Sequence, residues 1–293
     1  MANKRVIIIG GPTASGKTAL AIALAHKLGT EIISADSRQC YRELDIGVAR
    51  PTAEELAAVP HHFIAEFSIH QKLTAADFES YALQKTAQLF ERHDDVVMVG
   101  GTGLYIKAFC EGLDTIPAVP ETLRVELLRA YETNGLAWLQ EQVAAADPEF
   151  YKTGEIKNPH RLLRALEVMQ ATGKSILSYR TQEKKQRPFH IEKLAIALPK
   201  EDLHRNIHNR VDAMIAAGLE DEARSLIPYQ HLNALQTVGY KEFFDRFNGR
   251  LTREEAITAI KTNTRHYAKR QITWFKKDTS FRWLGREEIS SFE

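Results

Sequence analysis

VIIIGGPTASGKTALAIALAHKL, residues 6–28, is the stretch on which the rest of the chain turns. Val6-Ile7-Ile8-Ile9 is an apolar run and predicts a short buried strand. Gly11-Pro12-Thr13-Ala14-Ser15-Gly16-Lys17-Thr18 then fits G-x-x-x-x-G-K-[ST] without a mismatch. Thr18 to Leu28 is rich in Ala and Leu, which predicts a helix, and Gly29 is placed to end it. In that context the loop N–H groups and the helix N-terminus converge on one spot, and both favour an anion. Glycines let the backbone approach phosphate oxygens closely. Lys17 adds a point charge, and the Thr18 hydroxyl suits a Mg²⁺ ion bridging two phosphates. The loop reads a diphosphate without saying what the diphosphate is attached to.

The 293 residues can hold one large domain or two modest ones, and 44 % hydrophobic content is ordinary for a globular protein. No stretch of 18 or more apolar residues is present. Met1-Ala2-Asn3-Lys4-Arg5 leads straight into a strand, so no signal peptide is expected, and the two cysteines, Cys40 and Cys110, suit a reducing cytoplasm. We expect a cytoplasmic monomer with no membrane contact. Net charge is +1 but unevenly spread. Lys241–Arg286 carries 12 Lys/Arg against 5 Asp/Glu, and Gly154–His190 carries 8 against 3, which leaves −11 on the rest. Two basic segments on an otherwise acidic chain suggest a polyanion partner.

Glu31 to Ser37 reads as a second strand ending at Asp36, where ligands gather in parallel sheets. Asp36 can serve there as a Mg²⁺ ligand, a general base or a cap of the turn. Ser37, Arg38, Gln39 and Tyr41 follow, and Arg, Gln and Tyr are types that bond to or stack on nucleobases. His61 and His62 are adjacent and make a poor metal pair. Thr74 opens a helix with a capping box. Val96-Val97-Met98-Val99 is a third strand, ending in Gly100-Gly101-Thr102-Gly103, where Thr102 offers a hydroxyl. No acidic residue stands at that strand's end, which counts against simple nucleotide hydrolysis.

Pro117 to Pro120 marks a break, and Glu121 to Arg180 reads as helices only. Asn158-Pro159 opens one of them and Gly173 closes it, with Leu162, Leu166 and Met169 on its apolar face. His160, Arg161 and Arg164 share a face. Leu194 to Leu198 reads as the return to the sheet. The next helix buries Leu203, Ile207, Val211 and Met214, with Arg210 at the edge of that stripe, a position that calls for an anionic partner. Thr237 to Glu242 reads as a loop offering a stacking ring and a cation. In the last long helix Ile257, Ile260, Tyr267 and Phe275 point inward, while Lys261, Arg265 and Lys269 form a basic stripe beside Arg270, Gln271 and Trp274. The expected architecture is α/β: a P-loop NTPase-like parallel sheet core, residues 1–116 and 191–293, with an all-helical insertion at 117–190.

GPTASGKT (11–18), DSRQCYRELDIG (36–47), VGGTGLY (99–105), NPHRLLRALE (158–167), VGYKE (238–242) and KRQITWF (269–275) occur in one order across most of the chain. In this combination the sequence resembles the bacterial tRNA dimethylallyltransferase family. One departure is the loop Gly47 to Pro51, where Val48 and Arg50 replace the family's more usual Thr and Lys. The resemblance implies transfer of a dimethylallyl group from dimethylallyl diphosphate to N6 of the adenosine 3′ of a tRNA anticodon. It implies that Gly11, Pro12, Thr13, Ala14, Ser15, Gly16, Lys17 and Thr18 bind the donor diphosphate and Mg²⁺, and that Asp36 is the general base. Thr102 and Arg210 would hold the departing diphosphate. Residues facing tRNA would be Asp36, Ser37, Arg38, Gln39, Thr102, Arg124, His160, Arg161, Leu162, Leu163, Arg164, Thr237, Val238, Gly239, Tyr240, Lys241, Glu242, Lys269, Arg270 and Gln271. The alternative from the P-loop alone is a small-molecule or nucleotide kinase.

Overall fold

The structure is a computed structural model that describes residues 4–181 and 183–290. The Met1-Ala2-Asn3 lead lies outside them. The chain divides into two compact units, residues 1–111 with 186–293, and residues 112–185. The helical unit thus begins and ends five residues before the 117–190 expected from sequence.

The first unit begins with β1 (Arg5–Gly10), the P-loop, and α1 (Lys17–Leu28). It continues through β2 (Ile32–Ser34), α2 (Ala53–Ala58), β3 (His61–His62), α3 (Ala75–Leu89), β4 (Asp95–Val99) and α4 (Gly103–Glu111). The second unit holds α5 (Glu121–Ala146), α6 (Pro148–Thr153) and α7 (Pro159–Thr172). The chain then returns to the first unit with β5 (His190–Ile196), α8 (Lys200–Ala216), α9 (Leu219–Ser225), α10 (Tyr240–Phe247), α11 (Arg253–Lys276), β6 (Arg282–Leu284) and α12 (Arg286–Ser290).

The six strands form one sheet in the order β3-β2-β4-β1-β5-β6, with every pairing parallel. Parallel strands need a crossover, and the helices that supply it cover both faces. That is why β1 is a continuous apolar run. Val6 and Ile8 point into one core with Met98, Phe109 and Phe275, and Ile7 and Ile9 point into the other with Leu20 and Leu24 of α1. Gly29 ends α1 in the left-handed region, φ 59°, donating its N–H to the last-turn carbonyls of Ala25 and His26. β5 starts four residues earlier than expected. Its polar opening, His190 to Lys193, is drawn in by backbone pairing with β1, and Arg5 donates to Glu192. β3 and β6, two and three residues long, are too short to show periodicity and were not expected from sequence.

In the helical unit Leu127, Leu139, Val143, Phe150, Leu162 and Leu166 form one core. Asn158 caps α7 by accepting from the N–H groups of His160 and Arg161. α5 is broken at Gly135, whose φ of 78° is non-helical.

The close approach of β2 and β4 has a specific requirement. A Cβ on Gly100 would lie 2.2 Å from the carbonyl oxygen of Ala35, a backbone atom with nowhere to go. Gly100→Ala should therefore lower the thermal unfolding midpoint well beyond the effect of Gly249→Ala. Gly249 has φ 74° and open space around it, so that control costs only about 1 kcal/mol of backbone strain. Equal losses in a thermal melt would contradict this reading of the sheet.

Candidate active site

The carboxyl ends of β1, β2 and β4 lie side by side, and the loops that follow them line one cavity of about 300 Å³. Residues 13–19 of the P-loop and α1 form one wall. Asp36, Arg38 and Gln39 after β2, Gly100 and Gly101 after β4, Arg210 of α8, and Tyr267 and Gln271 of α11 supply others. The expected P-loop residues are thus brought together, except that Gly11 and Pro12 lie behind the lining.

The loop is held from outside as well as by its own glycines. Gly16, at φ 89°, precedes α1 and leaves the helix N-terminus without a side-chain cap. The first-turn N–H groups therefore face the cavity as an anion site. Ser15 Oγ donates to Pro12 O at 2.8 Å. Asn206 of α8 donates to Ala14 O at 3.2 Å, and one turn on Arg210 donates to Thr13 Oγ1 at 3.3 Å. Gln271 accepts from Thr13 N–H at 2.8 Å and donates to Gly101 O at 2.9 Å, so one carboxamide ties the P-loop to the β4 loop.

Lys17 donates to Pro12 O at 2.5 Å. Burial, and then the nearby Arg210 guanidinium, push its ammonium down to about 7, while Asp36 opposes that shift. Burial also lowers Arg210 below its usual range. Lys17, Arg38, Arg210, Asp36 and Glu55 all line the cavity, where the charge of Asp36 acts on Lys17 and that of Glu55 on Arg210. Two cations held close together at a cost in solvation create a site that an anion relieves.

Asp36 caps the turn. Its Oδ1 accepts from Arg38 N–H at 2.8 Å and Gln39 N–H at 3.2 Å, which caps the turn, and the residue also lines the cavity. Those two bonds hold the carboxylate in a fixed direction. Thr102 bonds to the same turn. Its Oγ1 accepts from Ser37 N–H at 3.0 Å and donates to Ser37 Oγ at 3.3 Å, and it does not line the cavity. It braces the turn after Asp36. Gln39 is also a brace. Its amide donates to the carbonyls of Val48 and Ala49, setting the turn whose Gly47, Val48 and Ala49 line the cavity.

Several residues expected to face tRNA do not present their side chains. Tyr240 is wholly buried, its hydroxyl donating to Glu222 at 2.5 Å, and its ring fills the space a Cβ on Gly47 would need. Glu242 is buried, accepting from Gly239 N–H and Asn263. Gln271 is buried as the strut described above, and Leu162 and Leu163 belong to the core of the helical unit. Tyr240, Glu242 and Gln271 are taken up by packing and internal hydrogen bonds, and Leu162 keeps the apolar face its spacing predicts. Thr237, Val238 and Gly239 do line the cavity, and Lys241, Lys269 and Arg270 are exposed. In the helical unit His160 is exposed, Arg161 pairs with Glu155 at 2.9 Å, and Arg124 and Arg164 both bind the buried carboxylate of Glu167.

Other functional residues were not found from sequence. The Glu222 carboxylate accepts from Ile46 and Gly47 N–H as well as Tyr240, which fixes the cavity wall. Asn206, four residues before Arg210 and on the same helix face, was detectable by that spacing. Tyr267 was expected to point into the core but is 36 % exposed and lines the cavity. The end of α11 seats on glycines: a Cβ on Gly101 would meet Gln271, one on Gly103 would meet Trp274, and one on Gly10 would meet Phe275. No helix among the described residues is long and apolar enough to cross a membrane.

With this geometry in hand, similarity to known proteins is specific. The family model for IPP transferase matches residues 39–278. The tRNA dimethylallyltransferase of Christiangramia forsetii is 49 % identical over 99 % of this chain and 96 % of that protein. The one from Cytophaga hutchinsonii is 46 % identical over 98 % and 95 %. Among solved structures, the tRNA isopentenylpyrophosphate transferase of Bacillus halodurans superposes with a TM-score of 0.71 at 35 % identity, covering 99 % of this chain and 94 % of that one. A eukaryotic dimethylallyltransferase, solved acting on tRNA, gives a TM-score of 0.78 at 26 % identity over 99 % of this chain and 75 % of its own. A P-loop core whose phosphate loop, strand-end carboxylate and half-buried arginine share one cavity, matched over nearly its whole length by these relatives, places the chain in the IPP transferase family, the tRNA dimethylallyltransferases.

Proposed function

We propose that the cavity takes dimethylallyl diphosphate at its P-loop end and receives, from the Asp36 side, the N6 amine of the adenosine 3′ of a tRNA anticodon. The observation that carries this is the placement of Asp36 in the same cavity as Lys17 and Arg210. A phosphate-binding loop alone serves many reactions, and the family assignment removes the kinase alternative. A fixed carboxylate facing an anion site suits transfer of carbon from a departing diphosphate to an amine.

The C–O bond of the allylic diphosphate breaks as the N–C bond forms. Negative charge grows on the diphosphate, where Lys17, Arg210 and the α1 N-terminus stabilise it without having to reorganise. An amine conjugated to adenine is a poor nucleophile, and Asp36 accepts the proton it sheds. General base catalysis of this kind contributes roughly 10²–10⁴-fold. The base must leave its stack, which costs a few kcal/mol and less in a loop than in a duplex. No group of three His, Cys, Asp or Glu among the described residues could hold a metal by itself. The Thr18 hydroxyl lining the cavity fits Mg²⁺, which keeps its waters and takes its other ligands from phosphate. Held at Thr18, Mg²⁺ would supply positive charge against the departing diphosphate. The basic faces around Arg124, His160 to Arg164, and Lys269 with Arg270 would meet the tRNA backbone.

Asp36→Asn should lower kcat by about 10²–10⁴-fold while tRNA affinity, measured by filter binding, stays put, because Asn fits the turn but accepts no proton. Unchanged turnover rejects Asp36 as the base. Arg210→Ala should lower kcat by roughly 10²–10³-fold, on the scale of losing one preorganised charge donor, with an unaltered melting temperature. A fall in thermal stability instead would make Arg210 structural. Lys17 supplies a pH dependence. Its ammonium titrates at about 7 in the free protein, and a bound diphosphate raises that value. Donor affinity is therefore full below about pH 7 and weakens as pH rises, by up to about tenfold per unit until the raised value is reached. Calorimetry at pH 8 in buffers of differing ionisation heat should show more proton uptake on donor binding by wild type than by Lys17→Met.

A further inference from the structure

We propose that Tyr267 is the platform on which the acceptor adenine stacks, an inference that rests on the tRNA-prenylation reading above. One face of α11 lines the cavity at Ile260, Thr264, Tyr267 and Gln271, spaced by four, three and four residues. Gln271 touches the P-loop at Thr13 and so marks the diphosphate end. Tyr267 lies one turn before it, about 6 Å along the helix axis. That offset from the diphosphate is what an acceptor needs if it is to meet the carbon attached there.

The ring is held for such a role. Ala268 beside it is buried and fixes the helix face, while Tyr267 is 36 % exposed and is the one aromatic residue among the described residues that lines the cavity. Asp36 lies near enough to raise the Tyr267 hydroxyl above its ordinary range, although burial contributes more. Asp36 and Tyr267 line the same cavity, so the base that sheds its proton to Asp36 comes down beside this ring. An aromatic face stacks on any purine without needing a hydrogen-bond code.

An aromatic ring beside an allylic diphosphate could instead stabilise positive charge on the prenyl carbon. Arg270 argues against that here. Its guanidinium lies 5.7 Å from the Tyr267 ring centroid, so the ring already serves one cation, and a second would be repelled. A neutral adenine meets no such penalty. Trp274 and Tyr229, the other exposed aromatics, do not line the cavity, and Trp274 is seated on Gly103.

The test uses the full chain with Tyr267→Leu and Tyr267→Phe. The probe is an anticodon stem-loop carrying 2-aminopurine at the target position, which lacks the N6 amine and so forms a complex without reacting. Stacking quenches 2-aminopurine. Wild type and Tyr267→Phe should give a quenched complex, and Tyr267→Leu a bright one. With the natural stem-loop, Tyr267→Leu should lose roughly 5- to 150-fold in kcat/KM for RNA, the scale of one base–aromatic stack, while the KM for donor holds. Donor binding with normal affinity also shows that the cavity has folded. Equal quenching in wild type and Tyr267→Leu overturns the proposal. So does a loss that appears in donor KM, which would place the ring against the prenyl chain. If wild type neither binds nor modifies the stem-loop, the tRNA reading itself fails, and the two failures are distinct.

Discussion

The carboxamide of Gln271 joins the N–H of Thr13 to the carbonyl of Gly101, and the site depends on that junction. A P-loop binds phosphate because its N–H groups converge, and convergence requires the loop to be held. Here a residue nearly 260 positions downstream holds it, at |i−j| of 258. The same helix end places Trp274 against Gly103 and Phe275 against Gly10, so three glycines at strand ends admit three side chains of α11. Each glycine is needed because a side chain from elsewhere already occupies the volume of its missing Cβ.

The cavity is charged by design of its walls. Lys17 and Arg210 are both held away from water, which lowers their affinity for protons and raises their need for an anion. Asp36, directed by two backbone N–H groups, lines the same cavity. The outer walls are maintained indirectly: Thr102 braces Ser37, Gln39 braces the turn at Val48, and Glu222 braces Ile46 and Gly47. These residues act through the shape they impose.

Buried polar groups in this protein mark the same logic. Glu167 gathers Arg124 and Arg164 in the helical unit, and Glu79 meets Arg187 where the chain re-enters the first unit. Arg187 also donates to the last carbonyls of α4, those of Ala108 and Phe109. A buried carboxylate paired in this way fixes the direction of the guanidinium and so the path of the chain. Each such pair lies within one unit.

Residues 6–29 determined the phosphate loop and its flanking strand and helix, because an apolar run, a glycine spacing and a C-cap glycine are local and their physics is local. Capping at Thr74 and Asn158, and the helical character of residues 121–180, were legible for the same reason. The cation and carboxylate chemistry of Lys17, Asp36 and Arg210 was legible as residue types in position. What only the tertiary structure decided was which polar side chains remain available. Tyr240, Glu242 and Gln271 have the chemistry of nucleic-acid contacts but are taken up by Glu222, Asn263 and the P-loop. Thr102 is taken up by Ser37, whereas Tyr267, expected inside, faces the cavity. A hydrogen-bonding partner distant in the chain leaves no spacing to read, so availability is settled only when the helices dock on the sheet.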